Sequence, residues 1–240
     1  MQPNTPHIIR EFDQAFQKLG GTVSTMAGQT RLNLERAIHG LMERDLDRCR
    51  AVIADDSDVD EAEREIDAAG MDILVRFHPV ASDLRKVISS MKVAASLERM
   101  SDHAVNIAKR AKKMLAKPEI REVQLIEPIY ALADGLVRDA MAAYTDRNAA
   151  LGASLKERDK ELDRMHKRVT ASYSQLLEEG GDQAESYLHL VFVVRSLERV
   201  GDLAVNIGED AVFLDRAEDI RYARKRAAQI AGEEDAEDED

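Results

Sequence analysis

The stretch SLERMSDHAVNIA (96–108) returns as SLERVGDLAVNIG (196–208), with nine of thirteen positions identical after an offset of 100. Both copies keep Glu, Asp and Asn at four-residue intervals: Glu98, Asp102 and Asn106, then Glu198, Asp202 and Asn206. On a helix that spacing stacks three side chains on one face, each one turn above the last. The chain is therefore read as a helical internal repeat. A second pair of segments agrees. Asp56, Val59, Asp60, Glu63 and Ile66 align at an offset of 103 with Asp159, Leu162, Asp163, His166 and Val169. Each half thus carries a DxxxD helix followed by an ExxxD helix.

Composition supports the same fold class. Of 240 residues, 44% are apolar but only 4% aromatic, with no Trp. Ala, Leu, Arg, Glu and Asp abound, which favours packed helices over sheets. The expected fold is all-α, with six helices in two tandem three-helix bundles: residues 1–118, residues 119–230, then an acidic tail, 231–240. The first helix is expected from Ile8 to Glu43 with a bend at Gly20 and Gly21, and the second from an Asp45 cap to a stop before Pro79. Ser82 or Asp83 opens the third, which ends near Leu115. Pro128 lies in the first turn of the fourth, Asn148 caps the fifth, which ends at Gly180 and Gly181, and Asp182 caps the sixth. That last helix is expected to reach Leu214, with RYARKRAAQI (221–230) as a possible extension.

The net charge of −12 is concentrated in the last eight residues, of which seven are acidic. Such a tail reads as disordered and solubilising. With no basic stripe to displace phosphate counterions, nucleic-acid binding is not expected. Cys49, the single cysteine, has no intramolecular disulfide partner, in keeping with a reducing cytoplasm. The longest apolar run, LVFVV (190–194), is far too short to span a bilayer.

The carboxylates are the candidate site. Reading Leu84, Ile88, Met91, Ala95, Glu98, Asp102 and Val105 as an inward four-three seam puts two acids in the apolar stripe. The last helix repeats this with Leu188, Val191, Arg195, Glu198, Asp202 and Val205. Asp56 and Glu63 interrupt the stripe of Val52, Val59, Ile66 and Ile73; Asp159 and His166 interrupt that of Leu155, Leu162, Val169 and Tyr173. Like charges four apart destabilise a helix, and burying them unpaired costs more. Either Arg99, Arg195 and Arg199 neutralise them, or a cation bridges facing helices. The expected ligands are Asp56, Asp60, Glu98, Asp102, Asp159, Asp163, His166, Glu198 and Asp202, with Asn106 and Asn206 offering carbonyl oxygens. Magnesium, manganese, calcium, iron and zinc all suit such donors, singly or as a multinuclear cluster. His103, facing Leu203 in the other copy, reads as a rim residue.

No glycine-rich phosphate loop and no nucleophile with a paired base is evident, so an enzyme is not expected. A carboxylate-bridged metal enzyme and a purely structural scaffold are the alternatives; the paired Glu-x-x-His pattern of the ferritin-like enzymes is not found. The chain resembles the PhoU family of phosphate transport regulators over nearly its whole length: in RDLDRCRAVIADDSDVDEAEREID (44–67), in the RFHPVASDLRKV junction (76–87) and in both ERxxDxAVNI motifs. It departs at Phe77-His78, where the family often has Arg-Gln, and at Ser101, where it usually has Gly. The resemblance implies metal clusters on the ExxxD and DxxxD motifs and a cytoplasmic protein, often a homodimer. It also implies peripheral membrane association through a Pst-type transporter ATPase subunit and a PhoR-type sensor histidine kinase. The implied role is to keep the phosphate-starvation regulon silent, and uptake restrained, when phosphate is plentiful.

Overall fold

The first turn in the chain shows how local sequence sets the architecture. Arg44 adopts the left-handed conformation (φ 57°), and the Asp45 carboxylate accepts hydrogen bonds from the N–H groups of Asp47 and Arg48. The second repeat rebuilds this corner: Arg147 is left-handed (φ 51°) and Asn148 accepts from the N–H of Leu151. Each capping side chain satisfies donors that a helix start leaves orphaned.

The computed structural model describes residues 5–221, with side chains from residue 10 onward. Seven α-helices occur among them: α1 (Thr5–Met42), α2 (Leu46–Ala54), α3 (Asp56–Phe77), α4 (Ala81–Met114), α5 (Ile126–Thr145), α6 (Ala149–Glu179) and α7 (Ala184–Arg216), with a 3-10 turn at Arg121–Leu125. No strand is present among the described residues.

Several expected boundaries are corrected. α1 begins before Ile8 and passes through Gly20 and Gly21 uninterrupted, because nothing crowds either glycine and the helix continues on both sides. The expected second helix divides at Asp55, whose carboxylate is drawn instead towards Arg36 (2.8 Å) and Gln29 (3.3 Å) on α1. α4 starts at Ala81, with Val80 in the cap position, so Ser82 and Asp83 fall in its first turn. Pro128 is the third residue of α5, still within the turn that tolerates a missing N–H. Asp182 does not cap α7: Gly180 (φ 74°) and Gly181 (φ 104°) swing the chain around, and Gln183 takes the cap position without a side-chain bond. α7 stops where Ala217 turns left-handed (φ 60°). Of the expected extension along 221–230, Arg221 lies in a turn past the end of α7, and the remainder, with the acidic tail, lies outside the described residues.

Cross-helix contacts give the directions. Phe12 meets Phe77, and Arg36 meets Asp55, so α1 and α3 run antiparallel. Thr30 donates to the Leu97 carbonyl, and Arg44 to the Leu115 carbonyl, so α1 and α4 run parallel. α5, α6 and α7 form the second three-helix unit, and α4 packs against α7 at the centre. Arg85 reaches the Leu214 carbonyl (3.3 Å), Lys92 reaches Asp210 (3.3 Å) and Arg110 reaches His189 (3.4 Å), so α4 and α7 are antiparallel. This register brings Met100 opposite Val200, one repeat offset apart, and both are buried. The repeats are thereby related by an approximate two-fold axis through that point. One continuous apolar core runs through both units, with Arg31 clamping Asp134 across them by two hydrogen bonds of 2.6 and 3.0 Å.

Candidate metal centres

Two rows of acidic side chains meet along the α3–α4 pair and two more along α6–α7. In the first, Asp56, Asp60 and Glu63 of α3 lie near Glu98 and Asp102 of α4; in the second, Asp159, Asp163 and His166 of α6 lie near Glu198 and Asp202 of α7. The helices hold these rows at the edge of the core. Val52, Val59, Ile66 and Ile73 are buried as read, and so are Leu155, Leu162, Val169 and Tyr173.

The seam read along α4 is off by a position. Leu84 is 40% exposed and Ala95 is open to solvent, while Val87, Ala94, Leu97, Ser101, Ala104, Ala108 and Ala111 are buried. Leu188 and Arg195 on α7 are exposed likewise. α4 contacts α1, α2, α3 and α7 at once, and small residues, among them Ala94, Ser101, Ala104, Ala108 and Ala111, make up much of its buried face. Glu98 and Glu198 are consequently half-buried flankers rather than core substitutes, and Asp102 is exposed.

Crowding still raises the acids. Burial first, then Asp102, Glu63, Asp60 and Asp56, push the Glu98 carboxyl up to about 7. Burial, with Asp163, Asp202 and Glu198, does the same to Asp159, also up to about 7. Burial and neighbouring carboxylates raise Asp56, Glu63 and Glu198 as well, although Arg199 and His166 oppose the effect at Glu198. Partial loss of water disfavours the charged form, and each like charge adds to it.

The centres differ in their counter-ions. Arg199 donates to Asp202 (3.0 Å) and lies 3.4 Å from Glu198, partly neutralising the second centre. Its counterpart Arg99 makes no ion pair among the described residues, and neither does Arg195. At the first centre the nearest cation is Arg64, 3.9 Å from Asp60.

As the side chains stand, no three His, Cys, Asp or Glu groups among the described residues close to a metal-holding arrangement. The donor chemistry nevertheless fits a cation best at the second centre. Asp159 Oδ1 is buried with no hydrogen-bond partner, an acceptor that a cation would satisfy. Gly201 makes the approach possible, because a Cβ there would stand 2.8 Å from that oxygen and 2.3 Å from Leu162 Cδ2. Asn206 joins Asp159 and Asp202 in lining a cleft of about 480 Å³, whereas Asn106 lines a neighbouring groove with arginines. Glu63 belongs to the first centre although the motif spacing alone did not select it; its alignment with His166 was the available signal. Buried Glu209 and Asp210, facing Lys156 (3.9 Å) and Lys92 (3.3 Å), were not anticipated.

Comparison with known proteins agrees with this duplicated geometry. The PhoU domain matches residues 23–111 and again 126–211. The chain belongs to the PhoU family. A phosphate-specific transport system accessory protein PhoU homolog from Pseudomonas putida is 31% identical over 231 residues, spanning 95% of this chain and 90% of that protein. The crystal structure of PhoU from Pseudomonas aeruginosa superposes with a TM-score of 0.83 at 29% identity, covering 86% of this chain and all of that one. The phosphate transport system regulatory protein PhoU from Streptococcus pneumoniae shares the fold, with a TM-score of 0.80 at 24% identity over 87% of this chain and 99% of its own. Both halves are helical throughout, the first built of α1–α4 with its second helix divided at Asp55 and the second of α5–α7. No described helix is long and apolar enough to cross a membrane.

Proposed function

We propose that this PhoU family chain is a non-enzymatic accessory regulator of phosphate transport: a cytoplasmic, metal-binding adaptor, acting as a homodimer between a Pst-type transporter ATPase and a PhoR-type sensor kinase. It restrains uptake and silences the phosphate-starvation regulon when phosphate is plentiful. The regulatory half rests on the names its relatives carry, as phosphate-specific transport accessory proteins. The adaptor half rests on the paired carboxylate rows, which concentrate negative charge between two helices of each unit.

Asp56, Asp60, Glu98 and Asp102 would hold a cation in the first centre, and Asp159, Asp163, His166, Glu198 and Asp202 in the second, with Asn106 and Asn206 within a turn. Magnesium, manganese, iron or zinc suits these oxygens, with the imidazole favouring iron or zinc. Bound there, the ion supplies positive charge that offsets the carboxylate repulsion. With that repulsion offset, the ligand side chains would hold α3 against α4 and α6 against α7, fixing the faces those helices show to a partner. One such face is apolar: Met71, Val75, Val80 and Leu84 are 54, 66, 73 and 40% exposed around the α3–α4 turn, the kind of patch that marks a protein contact.

Two measurements test this reading. The Asp102→Ala/Asp202→Ala protein, purified without chelator, should lose most of its metal by elemental analysis while keeping its helicity, since Ala is the better helix former. Unchanged metal content sinks the ligand assignment. Deleting the gene should leave a phosphate-starvation reporter active in phosphate-rich medium; a reporter that stays repressed contradicts the negative role.

A further inference from the structure

The α4–α7 seam opens beside the carboxylate centres into a groove of about 440 Å³. Arg99, His103 and Arg110 line it from α4, and Phe192, Arg195 and Arg199 line it from α7. No carboxylate belongs to its wall, although the chain has 46 acids against 34 Lys and Arg. Arg199 is engaged by Asp202 and Glu198 on its far side. Arg99 and Arg195 have no carboxylate partner among the described residues. Arg110 is held in place without one: its guanidinium lies 3.8 Å from the centroid of the Phe192 ring and 3.4 Å from His189 Nδ1.

The repeat makes this arrangement informative. At the offset of 100, Arg99 matches Arg199, but Arg110 faces Asp210, Arg195 faces Ala95, His103 faces Leu203 and Phe192 faces Lys92. Two-fold packing would generate a matching half-groove on the other side of Met100 and Val200. That side instead forms a cleft of mixed sign, where Asp159, Asp202 and Glu209 stand among Arg99, Lys156, Arg199 and Arg221. Of the two sides, only the groove has a wall free of carboxylates, through residues on two helices that the duplication alone would not place together.

We infer that this groove binds a phosphate-class oxyanion, either free orthophosphate or the phosphoryl groups of a larger molecule. Three guanidiniums without acidic partners converge from two helices. A planar, singly charged carboxylate is satisfied by one of them, whereas a tetrahedral polyanion presents oxygens to all three. The space exceeds that of one small ion and falls within the usual range for small-molecule sites. Partial burial lowers the pKa of Arg110, a desolvation that an anion in the groove would offset. The inference deepens the regulatory reading, on which it rests, by naming a ligand class, and the three unpaired arginines that carry it, Arg99, Arg110 and Arg195, are not among the proposed metal ligands.

The test is calorimetry on the full chain at low ionic strength with chelator present, so that anion binding through metal is removed. Orthophosphate or pyrophosphate should bind saturably at one site. Arg195→Ala and Arg99→Ala should each weaken binding at least ten-fold, while Arg138→Ala, an equal change of charge on exposed α5 surface, should leave it within two-fold. Tighter binding of orthophosphate identifies the free ion as the ligand; tighter pyrophosphate identifies a phosphoryl-bearing molecule. No saturable binding of either, equal losses in all three variants, or equal binding of an oligo-glutamate peptide would each overturn the assignment. A negative result here leaves the metal content of the Asp102/Asp202 variant unaffected, so the two readings fail separately.

Discussion

Replacing Gly152 with Ala should destabilise the protein, and the reason is geometric. α6 and α7 come closest at Gly152 and Gly208, where a Cβ on Gly152 would sit 2.4 Å from the Gly208 carbonyl oxygen and 3.2 Å from its carbon. Both atoms are backbone, so relief requires the helices to move apart rather than a rotamer to turn. Overpacking of this kind costs about 1–3 kcal/mol, and the better helix propensity of Ala returns up to ~1 kcal/mol. A net loss of roughly 1–2 kcal/mol lowers Tm by about 2–8 °C in a chain of this size. Gly135→Ala is the matched control: its Cβ would meet only Arg138 Nη2, at 3.9 Å. There the propensity gain stands alone, and Tm should rise by about 1–4 °C. Thermal unfolding of both variants with chelator present checks the pair. If Gly152→Ala melts at or above Gly135→Ala, the close approach does not exist as described.

The raised carboxyls give a pH signature. Glu98 and Asp159 fold with pKa values of about 7, above their ordinary 4.5 and 3.8, so both states are protonated at low pH and the unfolded state ionises first as pH rises. Their contribution to stability therefore falls between about pH 4 and 7 and stays low above that. In chelator, urea midpoints of wild type and Glu98→Gln/Asp159→Asn should diverge across this window in favour of the variant; parallel curves would refute it. Ser90 bonds the Tyr144 hydroxyl at 2.7 Å with both residues buried. Ser90→Ala should cost about 1–3 kcal/mol by leaving that hydroxyl unpaired, and a denaturation midpoint equal to wild type would show that water replaces the bond.

Periodicity made the repeat and its paired acids legible because the spacing survives in both copies and requires no tertiary information. The Asp45 and Asn148 caps were legible for the same reason: a short polar side chain at a helix start acts within three residues of itself. The α4 seam was misread because its buried face is built partly of Ser89, Ser90, Ser96 and Ser101, which hydropathy does not mark as core. Ser101 is tolerated there as a neighbour of the Asn33 amide, 3.5 Å away. The break at Asp55 depends on Arg36 and Gln29, and the arginine groove depends on the α4–α7 register. Neither residue set is contiguous, so no local pattern announces it.

Two chains that meet across a two-fold axis must present identical residues to one another at the axis, so charge complementarity is denied to that point and apolar contact is what remains. Fusing two such halves into one polypeptide lifts the constraint everywhere except near the crossing. Met100 against Val200, with Arg99 and Arg199 as like charges beside them, keeps the apolar contact that such an axis requires. Away from the crossing the halves differ, as at Arg110, which meets His189, and its repeat equivalent Asp210, which meets Lys92. Covalent linkage of the halves permits one groove to be walled without carboxylates while its two-fold counterpart mixes both signs.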